Sequence, residues 1–402
     1  MPSRRGIVVE NNIKKNRENL FIPIGNKVYK FNAKNGKIIK KFGNNGAVKA
    51  FTLVAPLIYK DTLVVVGKKE VFKFNKKTGK LINKINIHLK ESNLVDVGGN
   101  VWGGVAMDKT KGILYLNTGN PGPTSIYGVY RPGRNKRSCS IVAINLSNLK
   151  IIWDFQETIH DLWDFDLAAP PILHNLKIND KIYEVIISLS KTGNTIILER
   201  NTGKPIFDIN YKKAPKSDID GEDTSPFQID LKIPEKFSKI EFKISDIDKL
   251  PKIKQNEIKK KIKDYKYGWF ETPSFDKNLI TFGLHGGAEW TGGAIDPISQ
   301  NVFIPVNNIP WKIRAVMKTS EINTNVPEKL KNNYELYIKK CSSCHGRERN
   351  GVIGIHMETE HKFIPSLVGL YIESNLEYKI GSIKEVNNKH NNIKINKQEL
   401  IK

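Results

Sequence analysis

One pattern of strand, turn, strand, glycine turn and strand occurs twice near the start of this 402-residue chain. LFIPIGNKVYKFNAKNGKIIKKFG, from Leu20 to Gly43, is echoed by TLVVVGKKEVFKFNKKTGKLINKI, from Thr62 to Ile85. Both copies alternate apolar and polar residues at period two and reverse at Lys-Asn-Gly-Lys or Lys-Thr-Gly-Lys, the mark of antiparallel strands joined by tight turns. Weaker copies run from Cys139 to Gln156 and from Asn194 to Asn210. A small sheet of this kind cannot bury both faces alone, so successive units must stack. Sheets recurring at roughly 40 to 70 residues predict a β-propeller. A β-sandwich would not need the same turn tetrapeptide to recur. We therefore expect an all-β propeller over residues 1–316. Residues 211–266 are rich in lysine, aspartate and proline and read as a long surface excursion.

The formal charge of +24 comes mainly from lysines spread along the whole length. Nucleic-acid binding would want basic residues clustered with aromatics or a reader motif, and neither is found. A basic surface does suit acidic redox partners. Three cysteines cannot build a disulfide framework. Two of them belong to CSSCHG, residues 341–346, and the third, Cys139, is expected to pack as a small hydrophobe. MPSRRGIVVE lacks an apolar core, so no signal peptide or membrane span is read there.

Four segments contain residues that a plain propeller does not need. GGNVWGG surrounds Trp102 with glycines, NTGNPGP carries Asn120 on a sharp turn, and SKTGN offers Lys191 at a strand start. HDLWDFD sets Asp161, Asp164 and Asp166 beside Trp163. Clustered carboxylates either point to water or share a cation. Blade ends open on one mouth, so these segments together suggest an aromatic floor, a hard-cation site and a general base.

WGGVAMD, YLNTGNPGP, RPGRN, SIVAINL, WDFQETIHDLWDFDLAAPPIL, SKTGNTIILERNTGKPIF, GEDTSPFQ and GGAEWTGGAIDP follow one another from about Arg5 to Trp311. In order and spacing they resemble the pyrroloquinoline-quinone (PQQ) dehydrogenases, most closely the glucose-dehydrogenase-like branch. The resemblance implies an eight-bladed propeller, incomplete here, and oxidation of a sugar or alcohol. It implies that Trp102 stacks under the quinone and that Asn120 and Asp164 ligate the metal. Asp164 would also take the substrate hydroxyl proton. Lys191 would hydrogen-bond the quinone oxygens, with Asn307 or Asn308 near the cofactor, and Trp290 would line the same cavity or pack in the core. Asp166 adds a further metal ligand, with Ca2+ or Mg2+ expected and a lanthanide as the alternative. No adjacent cysteines match the vicinal disulfide of many alcohol-oxidising relatives, and the glutamate that completes the metal shell in some of them is not identifiable.

Residues 317–332 turn polar and read as a linker, and 333–402 as a partial α-helical cytochrome c domain. Cys341 and Cys344 would carry haem c through thioethers and His345 would ligate its iron. A zinc site lacks a second ligand pair. IPSLVGLY resembles the cytochrome loop whose proline, here Pro365, orients the histidine. Met357, His356, His361 and His390 are candidate sixth ligands, although a ligand beyond the chain fits the pattern better. Together these readings predict a piece of a longer quinohaemoprotein, periplasmic or membrane-associated and facing the periplasm, that delivers electrons to a cytochrome or ubiquinone. The alternatives are a non-catalytic propeller scaffold and an inactive fragment.

Overall fold

The computed structural model describes residues 6–12, 17–89, 98–122, 126–129, 131–315 and Glu335. The linker at 317–332 and the haem residues Cys341, Cys344 and His345 lie outside them, as do Met357 and the nearby histidines. The described residues before 316 belong to one compact unit, Met1–Glu91 with Asp96–Ala315.

Four antiparallel sheets follow in chain order. The first holds β1 (Val8–Asn12), β2 (Arg17–Ile24), β3 (Lys27–Asn32) and β4 (Ala47–Lys49), and the second β5 (Leu57–Tyr59), β6 (Thr62–Val66), β7 (Glu70–Asn75) and β8 (Leu81–Asn86). The third holds β9 (Val105–Asp108), β10 (Ile113–Asn117), β11 (Ser140–Asn145) and β12 (Lys150–Gln156). The fourth has three strands, β13 (Ile172–Ile178), β14 (Lys181–Leu189) and β15 (Thr195–Glu199). Every strand pairs with its neighbour in sequence, so each sheet is a meander.

The side-chain alternation of a strand decides how these sheets assemble. In β6, Leu63 and Val65 pack with Phe21, Val28 and Val48 of the first sheet. Val64 and Val66 face the other way, against Leu114, Leu116, Val142 and Ile144 of the third. The third sheet divides likewise: Ile113, Tyr115, Ile141 and Ala143 meet Ile186, Ile196 and Leu198 of the fourth. The fourth sheet turns Val185, Ile187 and Leu189 towards Ala288 and Ile295. Central strands are thus apolar on both faces, each filled side chain contributing roughly 1.5–3 kcal/mol, while β8, the last strand of the second sheet, stays mostly exposed. Face-to-face stacking in sequence order is blade packing.

Residues 211–266 are more than the predicted surface excursion. A hairpin of β16 (Tyr211–Lys213) and β17 (Phe227–Ile229) leads to helix α1 (Lys252–Lys261). Ile229 and Leu231 enter the core between the third and fourth sheets, and Ile240 joins Trp163 and Trp269 in another cluster. The abundant lysines hid this because they occupy the outer face, leaving isolated apolar residues to fold inward. After it, short pairs follow: Gly287–Ala288 with Val306–Asn307, and Ala294–Ile295 with Val302–Phe303.

The connection from β12 to β13 positions the site. It is a loop, yet nearly all of residues 157–171 are buried. Loops usually lie on the surface because buried backbone must find partners, so such a segment needs its own internal acceptors.

Candidate active site

Lys191 stands at the centre. It lies in the turn between β14 and β15 rather than at the predicted strand start. The turn is anchored by Glu157, whose Oε1 accepts from Thr192 Oγ1 at 2.6 Å and Asn194 Nδ2 at 2.7 Å. Burial raises the Glu157 carboxyl above its ordinary range despite these bonds. The Lys191 side chain is 4% exposed. Its Nζ donates to the Asp164 carbonyl at 3.0 Å and to Asp164 Oδ2 at 3.1 Å. Asp166 Oδ1 lies at 3.5 Å and Glu289 Oε1 at 3.9 Å.

Trp102 closes the other side, its Nε1 donating to Asp166 Oδ2 at 2.7 Å. The approach is possible because residue 119 is glycine: a Cβ there would stand 2.6 Å from Asp166 Oδ2 and 2.8 Å from Trp102 Nε1. Asn120 is the next residue and is half-buried. Cys139 donates its N–H to the Gly119 carbonyl and is fully buried, its thiol pushed well above its usual range by burial and the neighbouring carboxylates. It packs as the small hydrophobe expected.

Charge balance defines the chemistry of this site. Burial lowers the affinity of Lys191 for its proton, but Asp166, Asp164 and Glu289 overcome that and hold the ammonium above its ordinary value. Asp164 is raised by burial and by Asp166, against the pull of Lys191. Glu289 is raised by burial as well, again opposed by Lys191. One ammonium thus faces three carboxylates within 3.9 Å. Asp166 Oδ1 and Glu289 Oε1 are buried without a hydrogen bond. Unbonded carboxylate oxygens in a surplus of negative charge suit a hard cation. Among the described residues no group of three or more His, Cys, Asp or Glu side chains is placed to hold a metal ion by itself.

The structure thus brings Trp102, Asp164, Asp166 and Lys191 together. Asn307 Nδ2 donates to the His285 carbonyl at 2.5 Å, in the strand paired with Gly287 two residues before Glu289. Asn308 instead accepts the Lys239 N–H and fastens residues 239–240. Trp290 is 48% exposed beside Glu289, which removes the core-packing alternative. Sequence reasoning missed Glu289; its signal was a charged residue inside the glycine-rich GGAEWTGG. A cavity of about 510 Å³ lies elsewhere, between Ile159 and His160 at the start of the loop and Tyr211 and Phe227 of the hairpin.

Stacked meander sheets define a propeller-type fold, and a lysine, two aspartates and a tryptophan gather in their connections. The family model for the β-propeller domain of PQQ-dependent glucose/ethanol/alcohol dehydrogenases matches residues 1–352. The chain belongs to that family. It is 29% identical over 205 residues to the quinoprotein glucose dehydrogenase of Escherichia coli, covering 49% of this chain and 25% of that one. It is 30% identical over 229 residues to the glycerol dehydrogenase large subunit of Gluconobacter thailandicus, covering 54% and 30%. Over 116 residues it is 36% identical to the quinohemoprotein alcohol dehydrogenase of Comamonas testosteroni, covering 28% and 16%. The chain therefore spans less than a third of the length of these relatives. A europium-containing methanol dehydrogenase shares the fold, with a TM-score of 0.53 at 19% identity, covering 78% of this chain and 54% of that one.

Proposed function

We infer that this chain carries the cofactor site of a PQQ-dependent dehydrogenase that oxidises a sugar or a simple alcohol. The observation that carries the reading is Lys191 within 3.9 Å of Asp164, Asp166 and Glu289, with Trp102 bonded to Asp166. When bound, PQQ supplies the two-electron acceptor and a hard cation the Lewis acid.

The protein's residues supply the rest. Asp164, 24% exposed, remains reachable by a substrate and takes the hydroxyl proton on its carboxylate. Lys191 aims that carboxylate and neutralises part of its charge. Trp102 offers an aromatic floor fixed at its indole N–H. Asn120, Asp164 and Asp166 would hold the cation. We assign Ca2+ or Mg2+, because Lys191 already offsets part of the negative charge that Asp164 and Asp166 present, which favours a divalent over a trivalent ion. The methanol dehydrogenase that shares the fold contains europium, which makes a lanthanide the comparison to run.

The wider reading rests on sequence motifs and on relatives. The sheets form part of an eight-bladed ring. Cys341 and Cys344 attach haem c, with His345 on its iron, and electrons pass from there to a cytochrome or ubiquinone. The relatives' quinoprotein character supports a periplasmic setting. Among the described residues no helix is long and apolar enough to cross a membrane.

The test is oxidation of glucose, glycerol and ethanol by the full chain with PQQ, Ca2+ and a dye acceptor. Asp164→Asn should lower the rate at least about 100-fold, the scale of general-base help. Undiminished turnover in that variant would remove the base assignment.

A further inference from the structure

Asp164 adopts a left-handed backbone, φ 65°, inside a buried loop with no strand partner, and His160 four residues earlier does the same at φ 50°. L-residues avoid this region, although aspartate tolerates it better than most, so neighbouring groups must hold it there. The holding group is visible. Asp161 Oδ1 accepts the Trp163 N–H at 2.9 Å and Asp161 Oδ2 accepts the Phe165 N–H at 3.0 Å. These amides flank Asp164. The Trp163 and Phe165 side chains are buried on one side, where they stack on each other and Trp163 Nε1 donates to the Glu271 carbonyl at 2.7 Å. That leaves Asp164 directed towards Lys191.

A second segment braces the first. RPGRN, residues 131–135, touches the loop at three points: Arg131 Nη2 donates to the Asp161 carbonyl at 2.5 Å, His160 N to the Arg134 carbonyl at 3.2 Å, and His160 Nδ1 to the Gly133 carbonyl at 2.7 Å. Arg131 is 1% exposed and its other arm donates to Asn135 Oδ1 at 2.7 Å. A fully buried arginine and a fully buried aspartate are costly to desolvate unless each meets partners, and here each does. Arg131 meets the loop at the Asp161 carbonyl and the Asp161 carboxylate meets two backbone N–H groups, so both act on the backbone and their use is in orientation.

We propose that Asp161, braced by Arg131, is the positioning residue of this site, fixing the Trp163–Phe165 backbone and thereby aiming the Asp164 carboxylate. The proposal rests on reading Asp164 as the base. Asp161→Asn keeps the volume, retains one acceptor oxygen and turns an amide N–H towards the second backbone donor.

The test has two readouts on the full chain. Hydrogen exchange of the Trp163 and Phe165 amides, measured without cofactor, should speed up at least about tenfold while the Val142 and Ile144 amides keep their protection. With PQQ and Ca2+ bound, kcat should fall at least about tenfold, a fraction of full general-base help, with KM and PQQ affinity within about threefold of wild type. Asn135→Gly, which preserves a left-handed position and loosens Arg131, should shift both readouts in the same direction by less. Leu116→Ala, in the core of the third sheet, serves as the control for lost stability alone and should leave kcat unchanged. Unaltered amide exchange at 163 and 165 would overturn the proposal, as would a kcat loss that Leu116→Ala reproduces. Asp164→Asn separates the two readings: full activity there removes the base, whereas the exchange result judges the brace on its own.

Discussion

At the scale of single residues, burial and hydrogen bonding pull Asp161 in opposite directions, and burial prevails. Its carboxyl is pushed up to about 7 by desolvation, against the bond from Trp163, with Asp164 and Asp166 adding to the rise. The unfolded chain, near the ordinary value of about 3.9, has lost this proton where the folded chain still holds it. Stability from this group is therefore present in acid and lost as the pH climbs from about 4 to 7, by up to ~1.4 kcal/mol per pH unit. Urea unfolding at pH 4.5, 6 and 8 should show wild type losing stability relative to Asp161→Asn across that interval. A gap that stays constant with pH would contradict the assignment. Of the residues in the site, Trp102, Asp164, Asp166 and Lys191 were legible because each sits in a segment whose glycines or charge serve no strand. Glu289 was not, since a lone glutamate between Ala288 and Trp290 reads as solvated until the fold sets it against a lysine far earlier in the chain.

Among the elements, the turn is the unit that repeats. At Asn32 and at Asn75 the side-chain Oδ1 accepts an N–H two residues on, and the backbone carbonyl accepts from Gly36 or Gly79 four residues on. Asn145 repeats both bonds with Leu149 at φ 54° in the glycine position, which is why the third copy looked weak in the sequence. Leu149 is tolerated there because its side chain is buried in the core between the second and third sheets. The two glycines themselves separate strain from packing. A Cβ on Gly36 meets nothing within 4 Å, whereas one on Gly79 would stand 2.5 Å from the backbone nitrogen of Gly43. Gly36→Ala should then cost about 1 kcal/mol, the conformational penalty alone, and Gly79→Ala about 2–4 kcal/mol. Equal shifts in unfolding midpoint would show that the close approach carries no energy. Strands and turns were readable because their periods are local. The inward residues of 211–266 were not, as Ile229, Leu231 and Ile240 answer to clusters built from distant sheets.

For the whole molecule, the decisive quantity is a contrast of sign: a chain of net charge +24 carries a site in which three carboxylates meet one lysine. The two act over different ranges. Spread surface charge sets the potential met by an approaching ion, and screening reduces it beyond a Debye length of ~10 Å at 0.1 M salt. The buried cluster is felt only on arrival, where a cation must offset it. PQQ is a small anion bearing carboxylates, so its approach should be steered by the outer charge, whereas a neutral alcohol should be indifferent to it. Stopped-flow mixing should show PQQ association with the full chain slowing at least about tenfold between 10 mM and 300 mM salt. Oxidation of a neutral alcohol by the loaded protein, with an uncharged dye, should change less than about twofold over the same range. If association proves flat while turnover is also flat, the lysines are too dispersed to focus a field, and the local carboxylate cluster governs entry. If association instead speeds up with salt, that cluster repels the anion more strongly than the surface attracts it, and cation binding must precede the cofactor.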